Sequence, residues 1–146
     1  MRTIQTQEDV EEGLQWLLDR DPRLLPIARA AGPLPLRLME PSFAGLASIV
    51  VSQMISRASA QAIWQRILAA GPVTSLSYAK LAPDLIATFG LSRAKAATLD
   101  ALCRSINDGS VDLETIGALD AQEGVRQLSR LPGIGPWTAE VYLMFC

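Results

Sequence analysis

Residues that start and stop helices recur so densely along this chain that little room is left for any other element. Thr6 followed three residues later by Asp9 has the form of a capping box, opening a segment that runs to about Asp19. Asp21 precedes Pro22, a capping acid before a proline at a first helical position, and that second segment should stop near Gly32. Pro33, Pro35 and Pro41 mark an extended connection. Ser42 then caps FAGLASIVVSQM, and Ser56 caps RASAQAIWQRILAA, closed by Gly71-Pro72. In the latter, Ala60, Ile63, Trp64, Ile67 and Leu68 fall at helical spacing and are expected to face a core. A short helix around 83–89 ends at Gly90, and Ser92 opens RAKAATLDALCRSIND, closed by Gly109. Asp120 with Glu123 repeats the capping-box signature before GVRQLSR. The one β-branched run, SIVV, sits inside a helical period, and no strand-like alternation is present. The expectation is an all-α fold, a compact multi-helix bundle forming a single helical domain over residues 1–146.

Composition narrows the chemistry. With 49% apolar and 19% charged residues the chain can bury a sizeable core and is not a disordered tail. It contains no His, which removes His-based triads, His-ligated zinc and the usual general base near neutral pH. Cys103 and Cys146 cannot by themselves make a zinc site or hold an iron–sulfur cluster, and they suggest no disulfide framework. The N-terminus is polar and acidic with no apolar signal core, and no apolar stretch approaches the roughly 20 residues of a membrane span. A soluble, cytoplasmic protein is expected. Formal charge is −2, which argues against coating nucleic acid by charge alone. The charges are nevertheless uneven: residues 1–21 and 108–146 each carry six acids against two bases, and residues 22–107 carry nine bases against three acids. A basic middle between acidic ends allows one cationic face on a mildly acidic molecule.

The segment with most information is Leu-Pro-Gly-Ile-Gly-Pro-Trp-Thr-Ala, residues 131–139. Two glycines flank one apolar residue between a helix ending near Arg130 and another starting at Pro136. Glycines permit positive φ and close backbone approach. Gly135 ahead of Pro136 leaves amides aimed outward from a helix N-terminus, a nest suited to an anion such as a nucleic-acid phosphate. Ile134 is expected to plug the tip of the turn into the groove between its two helices.

That string resembles the helix–hairpin–helix of the base-excision DNA glycosylase superfamily, and within it the 3-methyladenine DNA glycosylase II, or alkylation-repair, branch. A second block, FAGLASIVVSQMISRASAQAIWQRI, resembles the same family's Gln-x-x-Ser helix and turn. The matches cover roughly residues 40–146. The resemblance implies a DNA repair enzyme that flips alkylated bases out of duplex DNA and hydrolyses their N-glycosidic bond. It implies that the amides around Gly133, Ile134 and Gly135 grip a DNA phosphate. A structural Na+ or K+ would be held by the backbone carbonyls of Ser129, Leu131 and Ile134, with no other cofactor. Met54 matches the apolar wedge that fills the gap left by the flipped base, with a core methionine as the other reading. Trp137, with Gln53, matches the base pocket, where an indole face favours a cationic methylated base by roughly 1 kcal/mol or more. Strand-cutting relatives carry a Lys nucleophile at position 137, and Trp cannot form a Schiff base, so a monofunctional enzyme is implied. The partner is duplex DNA with alkylated bases, acted on by a monomer associated with the nucleoid. The alternative, from a different class, is a non-catalytic helix–hairpin–helix DNA-binding module, and a helical protein-interaction domain is a third reading.

The resemblance breaks at one point. The family's catalytic Asp lies some twenty residues after the Trp position, beyond Cys146, so a chain truncated before that residue is expected. Glu140 is the only acid after the hairpin. It is a weak stand-in for the carboxylate, since an acid in the first turns of a helix also favours the dipole. Replacing Gly133 or Gly135 by a β-branched residue is expected to weaken DNA binding with the fold intact. The 146-residue chain is expected to release negligible base from alkylated duplex DNA, because losing preorganised charge stabilisation costs about 10² to 10³ in rate. Robust release that Glu140→Gln abolishes would make Glu140 the catalytic acid.

Overall fold

The computed structural model describes residues 4–146. They form ten α-helices and one 3-10 turn, with no strand among the described residues. No described helix is long and apolar enough to cross a membrane. The chain's contacts gather into two compact units, one ending at Leu38 and one covering Met39–Cys146.

The first unit is built from local capping. Helix α1 (Gln7–Arg20) starts in the capping box that the spacing of Thr6 and Asp9 predicts. The Thr6 hydroxyl accepts from the Asp9 amide at 3.1 Å, and the Asp9 carboxylate accepts from the Thr6 amide at 2.9 Å. Asp21 accepts from the Arg23 amide and Pro22 opens a 3-10 turn, Pro22–Leu24, before α2 (Leu25–Ala31). Gly32, at φ 70°, ends α2 as expected. The Gln7 side chain donates to the Leu34 carbonyl and accepts from the Leu36 amide, which holds the proline-rich segment extended.

The second unit contains the apolar core. Its central element is α3 (Phe43–Ser52), in which seven of ten residues are buried; a helix apolar nearly all round must lie inside the bundle. Around it lie α4 (Arg57–Ala69), α5 (Ser75–Tyr78), α6 (Pro83–Thr88), α7 (Arg93–Asn107), α8 (Leu113–Gly117), α9 (Ala121–Leu128) and α10 (Pro136–Phe145). Leu46, Val50 and Val51 of α3 share one cluster with Leu99 and Leu102 of α7, Leu128 of α9 and Tyr142 of α10. Ser42, Ser56 and Ser92 cap α3, α4 and α7 through their hydroxyls.

Three details depart from the sequence reading. Helix α3 stops at Ser52 rather than running through Met54, because Gln53 has ψ 132° and Met54 φ 56°. Leu68 is exposed, whereas Ala60, Ile63 and Ile67 are buried and Trp64 half-buried: the apolar stripe of α4 is narrower than its composition. Glu123 does not complete a capping box; its carboxylate pairs with Arg126 and accepts from Gln127 on its own helix.

Gly45 decides how near the C-terminal helix can come. A Cβ there would lie 2.9 Å from the Glu40 carbonyl oxygen and 3.1 Å from Cys146 Sγ. The Met39 amide donates to the Phe145 carbonyl at 2.6 Å, tying the end of α10 to the segment that leads into α3. Gly45→Ala is therefore expected to destabilise the protein by about 1–3 kcal/mol, the usual cost of overpacking. A urea unfolding curve should show a lower midpoint at unchanged slope.

Candidate functional site

The 131–139 segment forms the expected hairpin. Helix α9 ends at Leu128, and the turn closes when the Ile134 amide donates to the Leu131 carbonyl at 3.1 Å. The Leu131 and Ile134 side chains are both buried in the core. Gly133 has φ 80°, and a Cβ on it would sit 1.8 Å from Thr98 Oγ1, so the turn lies directly on α7. Gly135 is different: it has φ −88° and open space around its missing Cβ.

This geometry corrects one assignment. The Ile134 amide is spent inside the turn and its side chain is in the core, so Ile134 has no backbone donor left for an anion. Among the described residues no backbone acceptor meets the amides of Gly133, Gly135, Trp137 or Thr138, and α10 has no side-chain cap. Those four donors, with the positive end of the α10 dipole, make a corner with the chemistry to receive an anion.

The carbonyls of Ser129 and Ile134 accept no backbone hydrogen bond among the described residues, and that of Leu131 accepts one. The buried Ser129 hydroxyl, at the same corner, has no partner. Neutral oxygens with free lone pairs and an orphaned buried hydroxyl fit a monovalent cation. Among the described residues no cluster of His, Cys, Asp and Glu suits a multivalent metal.

The second block lies against the first. The Gln53 side-chain amide donates to Thr138 Oγ1 at 2.7 Å. Thr138 is buried on α10 beside Trp137, so the bond sets Met54 and Trp137 at neighbouring corners. Met54 is fully exposed, which excludes a core role, and it holds φ 56°. A non-glycine residue in the left-handed region costs about 1–2 kcal/mol. The Lys95 ammonium on α7 donates to the Val51 and Gln53 carbonyls, both at 2.7 Å; its partial burial lowers its pKa from the ordinary lysine value.

Helix α10 has two faces. Thr138, Ala139 and Tyr142 are buried, while Trp137, Glu140 and Met144, spaced i, i+3 and i+7, are exposed. Trp137 is 62% exposed, so it is not a buried structural residue; it faces an open surface rather than an enclosed cavity. Gln53, expected beside it in the pocket, has its amide nitrogen engaged with Thr138. Glu140 stands one turn from Trp137 on the same exposed face. Neither thiol is a nucleophile near neutral pH: burial pushes Cys103 up to about 12 and Cys146 up to about 11. Sequence reading missed Lys95, Thr98 and Thr138. Thr138 stands within the hairpin string, but Lys95 and Thr98 have no local signal beyond their i, i+3 spacing on α7.

The two glycines should therefore separate on substitution, contrary to the expectation that either can be replaced with the fold intact. Gly133→Val must displace Thr98 and should cost more than the roughly 1–2 kcal/mol of positive φ alone. Gly135→Val should stay within about 0.5 kcal/mol of the parent. Thermal unfolding of the two variants checks this.

No family model matches the chain. It is 29% identical, over 157 aligned positions and 94% of its length, to a DNA-3-methyladenine glycosylase of Saccharomyces cerevisiae, of which the alignment covers 53%. Among solved structures it is similar to a DNA-3-methyladenine glycosidase from Bacillus halodurans, with TM-score 0.72 and 26% identity, over 88% of this chain and 60% of that one. It is also similar to a 3-methyladenine DNA glycosylase of Schizosaccharomyces pombe in complex with abasic DNA, with TM-score 0.70 and 26% identity, over 77% and 58% of the two chains. An 8-oxoguanine glycosylase/lyase of Clostridium acetobutylicum shares the fold, with TM-score 0.79 and 20% identity, over 92% and 50% of the two chains. The chain thus spans between about half and three-fifths of the length of these relatives. The match runs through almost the whole chain, which disfavours an isolated hairpin module. By sequence and by fold the chain is similar to 3-methyladenine DNA glycosylases.

Proposed function

We propose that this protein recognises alkylated bases of the 3-methyladenine type in duplex DNA, flips them out and removes them by hydrolysis without cutting the strand. The observation that supports this best is the Gln53–Thr138 bond, which holds an exposed methionine and an exposed tryptophan at adjoining corners beside a hairpin with unpartnered amides. Those amides donate to a backbone phosphate, and a monovalent cation bound at the carbonyls of Ser129, Leu131 and Ile134 would add positive charge beside it. Met54 enters the space the base vacates, offsetting an unstacking cost of a few kcal/mol. The Trp137 indole faces the flipped cationic base.

Cleavage builds oxocarbenium character on the sugar, which a nearby carboxylate stabilises. An alkylated cationic base leaves readily, so no general acid is needed, in keeping with a chain that has no His. Position 137 holds Trp, not an amine, so the product is an abasic site with the strand uncut. In this reading the carboxylate is not Glu140, which stands in the first turns of α10 and favours the helix dipole. The protein works as a monomer on the nucleoid of the cytoplasm.

Binding tests the phosphate grip. The chain should prefer duplex DNA with an abasic analogue over undamaged duplex, with affinity falling as salt rises. Gly135→Val should weaken this binding in a folded protein; unchanged affinity would sink the grip. The pocket has its own test in a form extended to the length of the relatives. There Trp137→Ala should reduce release of 7-methylguanine more than it reduces abasic-site affinity, and equal losses would make Trp137 merely structural.

A further inference from the structure

The turn after α3 adopts the less favourable of two shapes open to it. Gln53 at φ −57°, ψ 132° followed by Met54 at φ 56° matches the first central residue of a type II turn and the positive φ of its second. That turn asks for Gly or Asn at its third position, and a methionine there favours the type I form, reached by flipping the peptide between residues 53 and 54. The flip would swing the Gln53 carbonyl to the opposite side of the turn. In the structure that carbonyl is held by the Lys95 ammonium at 2.7 Å, and the same ammonium holds the Val51 carbonyl at 2.7 Å. A lysine meeting the last carbonyls of a helix is a familiar cap. Here the second acceptor is the one peptide whose direction defines the turn.

Lys95 does not hang free from α7. Three residues along the same helix, Thr98 is packed on Gly133 of the hairpin. One side of α7 therefore touches both loops of the site: the wedge turn through Lys95 and the phosphate-binding hairpin through Thr98. Gln53, whose carbonyl Lys95 holds, bonds Thr138 with its side chain.

We propose that Lys95 is a positioning residue that selects the type II form of the Gln53–Met54 turn and so keeps Met54 pointed out at a fixed distance from the hairpin. It acts through the backbone and does not itself touch DNA. Its role as the residue that aims a wedge rests on the glycosylase reading above; its selection of the turn does not.

The test has one arm without DNA and one with it, both on the 146-residue chain. In a type II turn the Gln53 Hα and Met54 amide proton lie close together and give a strong sequential NOE, which is weak in type I. Lys95→Met should lose that NOE, Lys95→Arg should keep it, and Lys95→Met combined with Met54→Gly should regain it, because glycine needs no clamp at positive φ. An NOE that survives Lys95→Met overturns the proposal, and Lys95→Gln repeats the comparison if the methionine variant unfolds. In the second arm, emptying the competent turn should lower affinity for the abasic-analogue duplex about 5- to 30-fold and leave undamaged duplex unchanged. Equal losses on both duplexes would make Lys95 a phosphate contact and overturn the positioning role, as would a lost NOE with unchanged abasic affinity. If the parent protein shows no preference for the abasic duplex, the glycosylase reading and the wedge role fall together, and the NOE alone decides whether Lys95 selects the turn.

Discussion

The hairpin rests on α7 only because residue 133 has no side chain. With any Cβ at that position Thr98 would have to move, and the interior around it is too closely packed to yield cheaply. Once the turn lies flat, Ile134 drops into the core and its amide closes onto Leu131, which directs the next residues into α10. That direction presents Thr138 to Gln53 and leaves Trp137 outside. One atom-sized clearance thus decides where both exposed apolar side chains stand.

The hairpin corner offers backbone donors rather than charged side chains. Four amide donors and a helix dipole give a local positive potential on a molecule of net charge −2. Backbone donors are fixed by the fold, so they lose little conformational freedom when an anion arrives. Met54 is fully exposed, and Met144, on the same face of α10 as Trp137, is 68% exposed. Met54 adds backbone strain to that exposure, and strain held in place by surrounding contacts is what a preorganised site contains.

Much of this was legible in local chemistry. The caps at Thr6, Ser42, Ser56 and Ser92 each depend on one side chain and the amide three residues on, so spacing alone reveals them. The hairpin was legible because a G-x-G between two helices restricts the backbone whatever surrounds it. Helices α5 and α8 were not foreseen: four and five residues are too few for a period, although their caps, Thr74 and Asp112, are ordinary ones. Leu68 was misplaced because helical spacing gives the angle of a residue around its axis but not the width of the face a neighbour covers. The end of α3 was misplaced for a different reason. Nothing in Gln-Met signals a left-handed residue, and the clamp that sustains it comes from Lys95, more than forty positions away.

The sequence by itself determined the class of the fold, the helix starts, the hairpin and the absence of an amine at position 137, because each depends on residue type and short spacing. Tertiary structure decided which amides of the hairpin stay free, whether Met54 is core or surface, and which residues hold its turn. Ile134 and Met54 make the contrast plain. Both are apolar residues in apolar surroundings of the sequence, yet one is buried with its amide consumed and the other stands wholly in solvent. The difference lies in what α7 and α10 place beside them, through the contacts of Thr98 with Gly133, Lys95 with Gln53, and Gln53 with Thr138. Those are long-range contacts between side chain and backbone, and they exist only once the helices have packed.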